Sequence, residues 1–443
     1  MAQLDDHPSV IRHRQEPKTP APTALDAAWL RQLCLDLGAD DVGFVSMDRP
    51  EVADQRDDLR RLYPWTKHLI SFVCRMNREV TRSPARSVAN LEFHRAGDRT
   101  DEVAHQIVTA LEAKGVRAVN PSMGFPMEVN QFPGKVWVVS HKPVAEAAGL
   151  GRMGIHRNVI HPRFGNFILL GTILVDVAIL EESKPVDYNP CLGCKLCVAA
   201  CPVGAIGADG HFDFSACMTH NYREFLGGFG DWVEGVVESK GATDYRSRVG
   251  SGETASVWQS LSFGPNYKVA YCMAVCPAGD DVIGPFLDDR PGFLKDVVAP
   301  LQQKAETLYV VPGSDAEAYA AKRFPHKTTK PIGNGLRPGS ISDFLFALPH
   351  VFQRHQSTGL AATYHFTFTG LEPKHATIVI RDKTILVQEG HTDQPDLLVT
   401  ADSATWLGFL KKERSLIWAL LRRKIRLSGS PRLLVAFGRC FPS

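Results

Sequence analysis

No apolar run in this chain approaches the roughly 18 residues that a membrane helix needs. The longest, Phe167–Val175 (FILLGTILV), suits a buried strand instead. An excess of one charge is also missing: 50 Lys and Arg stand against 48 Asp and Glu, a net +2. That balance supplies no overall field for nucleic acid or membrane, so neither a nucleic-acid partner nor a transmembrane segment is expected. The opening stretch, MAQLDDHPSVIRHRQEPKTPAP, has no apolar signal core and no twin-arginine ahead of one, which implies a loose tail over residues 1–22 of a cytoplasmic protein. Internal repeats and low-complexity blocks are absent as well. What remains is an ordinary globular composition, 44% hydrophobic and 22% charged, in 443 residues, enough for two or three domains.

Cysteine is not scarce. Ten are present, and seven of them fall between Cys191 and Cys276. In a reducing compartment such clustering points to metal rather than to disulfides.

The patterns along the chain alternate between helix and strand. Ala24–Leu37 has Leu30, Leu33 and Leu37 on one helical face and is closed by Gly38; DVGFVSM after it suits a strand. His68–Cys74 is a second apolar strand, Asp101–Lys114 a helix stopped by Gly115, and Val116–Val119 and Val136–Ser140 further strands. This alternation predicts an α/β layer covering residues 23–185. From 186 to 290 the chain turns to Cys, Gly and short helices, a separate metal module. Residues 291–339 are expected to connect it to the last unit, with Lys327–Ser340 (KTTKPIGNGLRPGS) as the linker. Residues 340–443 then form an α+β unit, with a hairpin turning near Asp382 and Lys383.

The sharpest pattern is NPCLGCKLCVAACPVGAI. Cys191, Cys194, Cys197 and Cys201 before Pro202 obey C-x2-C-x2-C-x3-C-P, the bacterial ferredoxin run, in which three thiolates hold one cluster and the fourth serves another. Structural zinc draws its ligands from more widely separated pairs. Downstream, Cys272, Cys276 and Pro277 repeat the C-x3-C-P ending, and Cys217 lies between. By this logic Cys276 returns to complete a 4Fe-4S site with Cys191, Cys194 and Cys197. The second site has Cys201, Cys217 and Cys272 but Val269 where the fourth thiol belongs. It is a 3Fe-4S centre, or a 4Fe-4S centre closed by a non-Cys ligand such as His220 or Tyr267 or by a remote thiol. Cys34, Cys74 and Cys440 sit in apolar runs that suit buried structural cysteine.

AGLGRMG (Ala148–Gly154) contains G-x-G-x-x-G, yet the glycines follow a helix (HKPVAEAA) rather than a strand, and no helix separates them from Asp176. That context opposes a dinucleotide fold and suggests backbone passing close to a large flat ligand. KPVAEAAGLGRMGIHRNVIHPRFGNFILLGTILVD followed by the cysteine run resembles the catalytic domain of epoxyqueuosine reductases and reductive dehalogenases, over roughly residues 24–290. The resemblance implies a nitroreductase-like α+β sandwich with a ferredoxin-like two-cluster module. It also implies cobalamin beside a cluster, with Gly149, Leu150, Gly151 and Gly154 lining the corrin. A reduced ferredoxin or flavodoxin-type protein would be the electron donor.

Two of that family's features are missing. Ser140 stands where epoxyqueuosine reductases place a catalytic Asp before proline, and no Tyr occurs between Tyr63 and Tyr188 to match the dehalogenase proton donor. Lys142 does resemble the Lys-Pro ahead of the dehalogenase AGLG, and burial would make it a usable acid. His141 is a second candidate, with His94 and Glu128 behind it.

Residues 340–443 resemble a sterol-carrier-protein domain in FLFALPHVF, YHFTFTGL, IVIRDKTILVQEG and DLLVTADSATWLGFLKKE. Tyr364, Phe366 and Phe368 on one strand face, with Trp406, Phe409 and Leu410 on one helix face, could wall an apolar tunnel or simply make a core. The function expected is a cytoplasmic iron–sulfur, cobalamin-dependent reductase acting on a hydrophobic substrate, of small-molecule or lipid type, captured by the last domain. The alternative is an electron-transfer or lipid-carrier protein that has lost cobalamin chemistry.

Overall fold

The computed structural model describes residues 4–16, 20–124, 137–267, 270–334 and 337–442. In the first unit, strand His68–Arg75 buries every residue but its last. Period-two alternation divides these side chains between two cores: Ile70, Phe72 and Cys74 face one, Leu69 and Val73 the other. Asp41–Ser46 and Ile168–Val175 flank the strand and Ala118–Val119 lies beyond the latter, all pairing antiparallel. Helices Ala27–Asp36 and Arg86–Glu112 cover one face through Leu30, Cys34, Val103, Ile107 and Leu111. Helix His141–Ala147 covers the other through Val144 and Ala145. Each large side chain buried this way contributes about 1.5–3 kcal/mol. The arrangement is the covered α/β layer that the alternating pattern predicts.

Several local expectations are corrected. The helix expected at Asp101–Lys114 begins at Arg86. Its buried positions Ala89, Phe93, Ala96, Thr100, Val103, Ile107 and Leu111 recur at helical spacing, but polar neighbours dilute the first half of the stripe. Of the strand expected at Val136–Ser140, Val136 lies outside the described residues, as does Glu128, and 137–140 form no strand. Instead the Ser140 amide donates to Gln55 Oε1 (3.0 Å), fixing the start of helix His141–Ala147. The opening tail holds a helix, Pro8–Gln15, with no buried residue.

The connecting segment is a folded piece. Thr307–Val310 and Thr328–Pro331 pair in parallel, joined by helix Asp315–Arg323, so the expected linker begins as a strand. Pro331 is tolerated because this two-stranded sheet has only edges. A single core runs from Leu196, Ala200 and Tyr271 through Phe286, Phe293 and Leu301 to Val310 and Ala316, so no packing boundary falls at residue 290.

In the last unit a five-stranded sheet runs in the order Thr384–Glu389, Lys374–Arg381, Ala362–Thr369, Leu397–Asp402, Ile425–Gly429. The hairpin turns at Asp382 (φ 51°) and Lys383 (φ 60°), the paired left-handed residues that match strand twist. Tyr364, Phe366, Phe368 and Trp406 are fully packed: Phe366 meets Trp406 and Phe437 at ring centroids of 5.4 Å, and Phe344 meets Trp406 at 5.6 Å. These aromatics fill a core rather than wall a tunnel.

Candidate functional site

Two segments shape the thiol pocket, and they are built alike. Lys195 (φ 60°) caps helix Leu196–Ala200, and Ala270 (φ 52°) caps helix Tyr271–Ala274; both are non-glycine residues in left-handed geometry. Cys197 and Cys272 each follow two residues after that cap, and the two short helices pack on each other. The repeated C-x3-C-P spelling therefore has a repeated shape behind it.

The thiols fall into two adjoining groups. Burial pushes Cys197 up, and so do the neighbouring thiols Cys272, Cys276, Cys194 and Cys191. Cys276, pushed up to about 12 by burial, has Cys194 and Cys191 beside it and accepts from the Ala278 amide. Cys217 is driven well above its ordinary range by burial and by Cys272 and Cys201, with Lys142 opposing. Cys272, pushed up to about 11 by burial, has Cys201 beside it and Lys142 again opposing. Cys201 receives the amides of Val203, Gly204, Ala205 and Ile206, a nest made possible because the chain turns at Pro202. So Cys191, Cys194, Cys197 and Cys276 form one set and Cys201, Cys217 and Cys272 the other. Cys272 adjoins both.

Among the described residues no three His, Cys, Asp or Glu side chains converge closely enough to hold one metal ion. A cluster asks for something different, since each thiolate binds its own iron. Buried thiols this reluctant to ionise need positive charge among them, which iron would provide. Val269 lies outside the described residues. Cys34 and Cys74 are buried in the first unit's core and Cys440 in the last unit's, so none is a remote fourth ligand.

Lys142 lies at the second group. Its Nζ donates to the Arg157 carbonyl (2.6 Å) and to Asn158 Oδ1 (3.5 Å), while Asn158 Nδ2 donates to Cys272 Sγ (3.9 Å). Burial lowers the Lys142 pKa, and Cys272 and Cys217 raise it. His141 lies elsewhere: Nδ1 meets Thr172 Oγ1 (2.9 Å) and Nε2 meets the Ser122 carbonyl (3.1 Å), tying its helix to the sheet. His94 Nε2 is held by the Pro265 carbonyl (3.0 Å). His220 Nδ1 accepts from the Tyr309 amide (3.3 Å), and Tyr267 packs against Phe93 and Phe225.

The tyrosine that feels Cys217 and Cys272 is Tyr222, which spacing alone does not flag. Arg82 was equally hidden in the sequence. It is buried near Cys276, stacked over Phe167 and Phe293, and donates to the Ala274 carbonyl (3.3 Å).

The glycine loop closes on the protein itself. A Cβ on Gly149 would lie 2.3 Å from the Lys184 carbonyl oxygen, and one on Gly151 would lie 2.3 Å from that of Ile160. On Gly154 it would meet Ile160 Cδ1 at 2.7 Å. Leu150 is 1% exposed, Gly151 and Gly154 are buried too, and Gly149 is half-buried, so the loop's closest contacts are with the protein's own backbone. Asp176 accepts from the Arg117 amide (3.0 Å) and is structural.

Comparison with known proteins finds matches at both ends of this arrangement, the first cysteine run and the last unit. Residues 184–207 match a 4Fe-4S binding domain, and residues 352–442 match the SCP-2 sterol transfer family. The chain joins a ferredoxin-type iron–sulfur segment to an SCP-2 domain. It is also homologous to epoxyqueuosine reductases. The Bacillus cereus enzyme is 26% identical over 168 residues, 37% of this chain and 36% of the relative. The Vibrio cholerae enzyme is 34% identical over 89 residues, 20% and 24% of the two chains. The chain thus spans about a third or less of these relatives. A solved epoxyqueuosine reductase bound to an epoxyqueuosine-modified tRNA-Tyr stem loop gives a TM-score of 0.34 at 15% identity, covering 67% of this chain and 81% of that one.

Proposed function

We propose that the chain is an iron–sulfur oxidoreductase whose substrate is a hydrophobic small molecule or lipid, presented by the SCP-2 domain, with a reduced ferredoxin or flavodoxin-type protein as electron donor. The observation that carries this reading is the pair of adjoining thiol groups beside a half-buried lysine. Cys191, Cys194, Cys197 and Cys276 would hold a 4Fe-4S cluster; Cys201, Cys217 and Cys272 would hold a second centre with three protein thiolates. Bound there, the clusters supply one-electron transfer at potentials set by burial and by hydrogen bonds to sulfur. The amides of Val203–Ile206 stabilise charge on Cys201. Lys142 holds a proton at Nζ, positioned by the Arg157 carbonyl and linked through Asn158 to Cys272, and is the proton donor of this reading. Covalent tethering of the SCP-2 domain raises the local concentration of its ligand at the reducing site.

No step is assigned to a corrin, because the loop that the resemblance implies for it is packed against protein. The same packing, with the missing family acid, favours the second reading, an electron-transfer or lipid-carrier protein. Metal analysis and electron paramagnetic resonance of anaerobically purified protein test the first claim. Iron and sulfide in near-equal amounts, with two distinct signals, support it; zinc in their place refutes it. Stoichiometric cobalt would restore the corrin. Electron uptake without reduction of any hydrophobic substrate would favour the carrier. Tight tRNA binding would move the substrate class to that of the relatives.

A further inference from the structure

A surface of the SCP-2 domain serves neither the thiol pocket nor its own core. Helix Leu416–Leu421 turns Leu416, Ala419 and Leu420 toward the domain interior. Ile417, Trp418 and Leu421 are left 69%, 61% and 67% exposed. Their spacing of one and then three residues puts all three on one side of the helix. Left-handed residues Lys412 (φ 62°) and Arg423 (φ 56°) bound it, so the chain enters and leaves this short helical ridge by turns.

The ridge is framed by charge of one sign. Lys411, Lys412, Arg414, Arg422, Arg423, Lys424 and Arg426 are all exposed, against the exposed Glu413 and the half-buried Asp402, which lies near Lys424 and Arg414. In a chain of net +2 this is a concentrated positive patch. The Arg422 guanidinium lies 5.8 Å from the Trp418 ring centroid, so charge and apolar surface share one face. Arg414 also donates to Thr405 Oγ1 (3.1 Å).

We propose that this face docks on an anionic lipid surface, with Trp418, Ile417 and Leu421 entering the headgroup region and the basic side chains meeting lipid phosphates and carboxylates. A tryptophan with aliphatic neighbours inside a basic rim is the composition of a membrane-interface element. Nucleic acid would engage the charge but leave Ile417 and Leu421 facing water. Docking brings the SCP-2 domain to the phase where hydrophobic ligands reside.

Co-sedimentation of the full chain with phosphatidylcholine vesicles, with and without phosphatidylserine, tests this. Binding should require phosphatidylserine and weaken with salt. Trp418→Ser with Leu421→Ser should lower partitioning about tenfold or more. Arg422→Gln, Arg423→Gln and Lys424→Gln together should lower it more steeply, each charge being worth about fivefold. All these side chains are exposed, so iron content and fold should be unchanged. The proposal fails if the native chain ignores anionic vesicles, if it binds neutral ones equally, or if either variant partitions like the parent. It fails also if single-stranded RNA occupies this face more tightly than the vesicles do.

Discussion

Replacing Gly151 by Ala separates a packing role for the glycine loop from a ligand-binding one. Gly151 has φ +146°, a conformation that L side chains rarely adopt, and the added methyl would stand 2.3 Å from the Ile160 carbonyl oxygen. Backbone strain costs about 1–3 kcal/mol. Relieving a clash with main chain, which cannot rotate away, adds about 1–3 kcal/mol. A total of about 2–6 kcal/mol lowers the melting temperature of a unit this size by about 5–20 °C. Gly149→Ala (φ +75°, Lys184 carbonyl oxygen at 2.3 Å) should cost about as much. Gly154→Ala should cost less, about 1–2 kcal/mol, because its nearest atoms belong to the side chains of Ile160 and His156. Anaerobic thermal unfolding followed by tryptophan fluorescence, without added cofactor, gives the ranking. Native stability in Gly151→Ala would refute the argument that the glycines exist for the protein's own backbone.

Cys276→Ala should remove as much iron as Cys194→Ala, despite its distance along the chain, because both supply the same group; undiminished iron in either variant breaks that assignment. Lys142→Met should slow turnover at least about tenfold while leaving iron content and electron uptake intact, since its bonds are to Arg157 and Asn158 rather than to sulfur. Equal turnover removes it from the chemistry. Stability should fall with acid below about pH 6.5. Burial lowers the pKa of both His141 and His156, the latter to about 4, so the folded chain keeps them neutral while the unfolded chain takes up protons. Melting curves between pH 7 and 5 should show the decline, and His141→Gln should flatten it; an unchanged slope would contradict the burial argument.

The thiols were legible because six of the seven obey local spacing rules, and the shared C-x3-C-P ending set Cys276 beside Cys201 as a counterpart. Tyr222 and Arg82 were not legible, since they approach the sulfurs only through the packing of helices whose own residues follow no motif. Thr328–Pro331 looked like linker because four residues ending in proline form a strand only when Thr307–Val310 offers an edge. The glycine loop misled in the opposite direction. Glycines invite a ligand, whereas Gly151 answers to the Ile160 carbonyl, which lies beside it only after the chain has folded back.

The two mirrored segments have a consequence for maturation. Each thiol group draws from both, so a ribosome-bound chain that has exposed Cys191 through Cys201 still lacks the closing thiol of either group. Iron delivery should therefore wait until Tyr271–Ala274 has docked against Leu196–Ala200, and a chain truncated between them should emerge from the cell without metal.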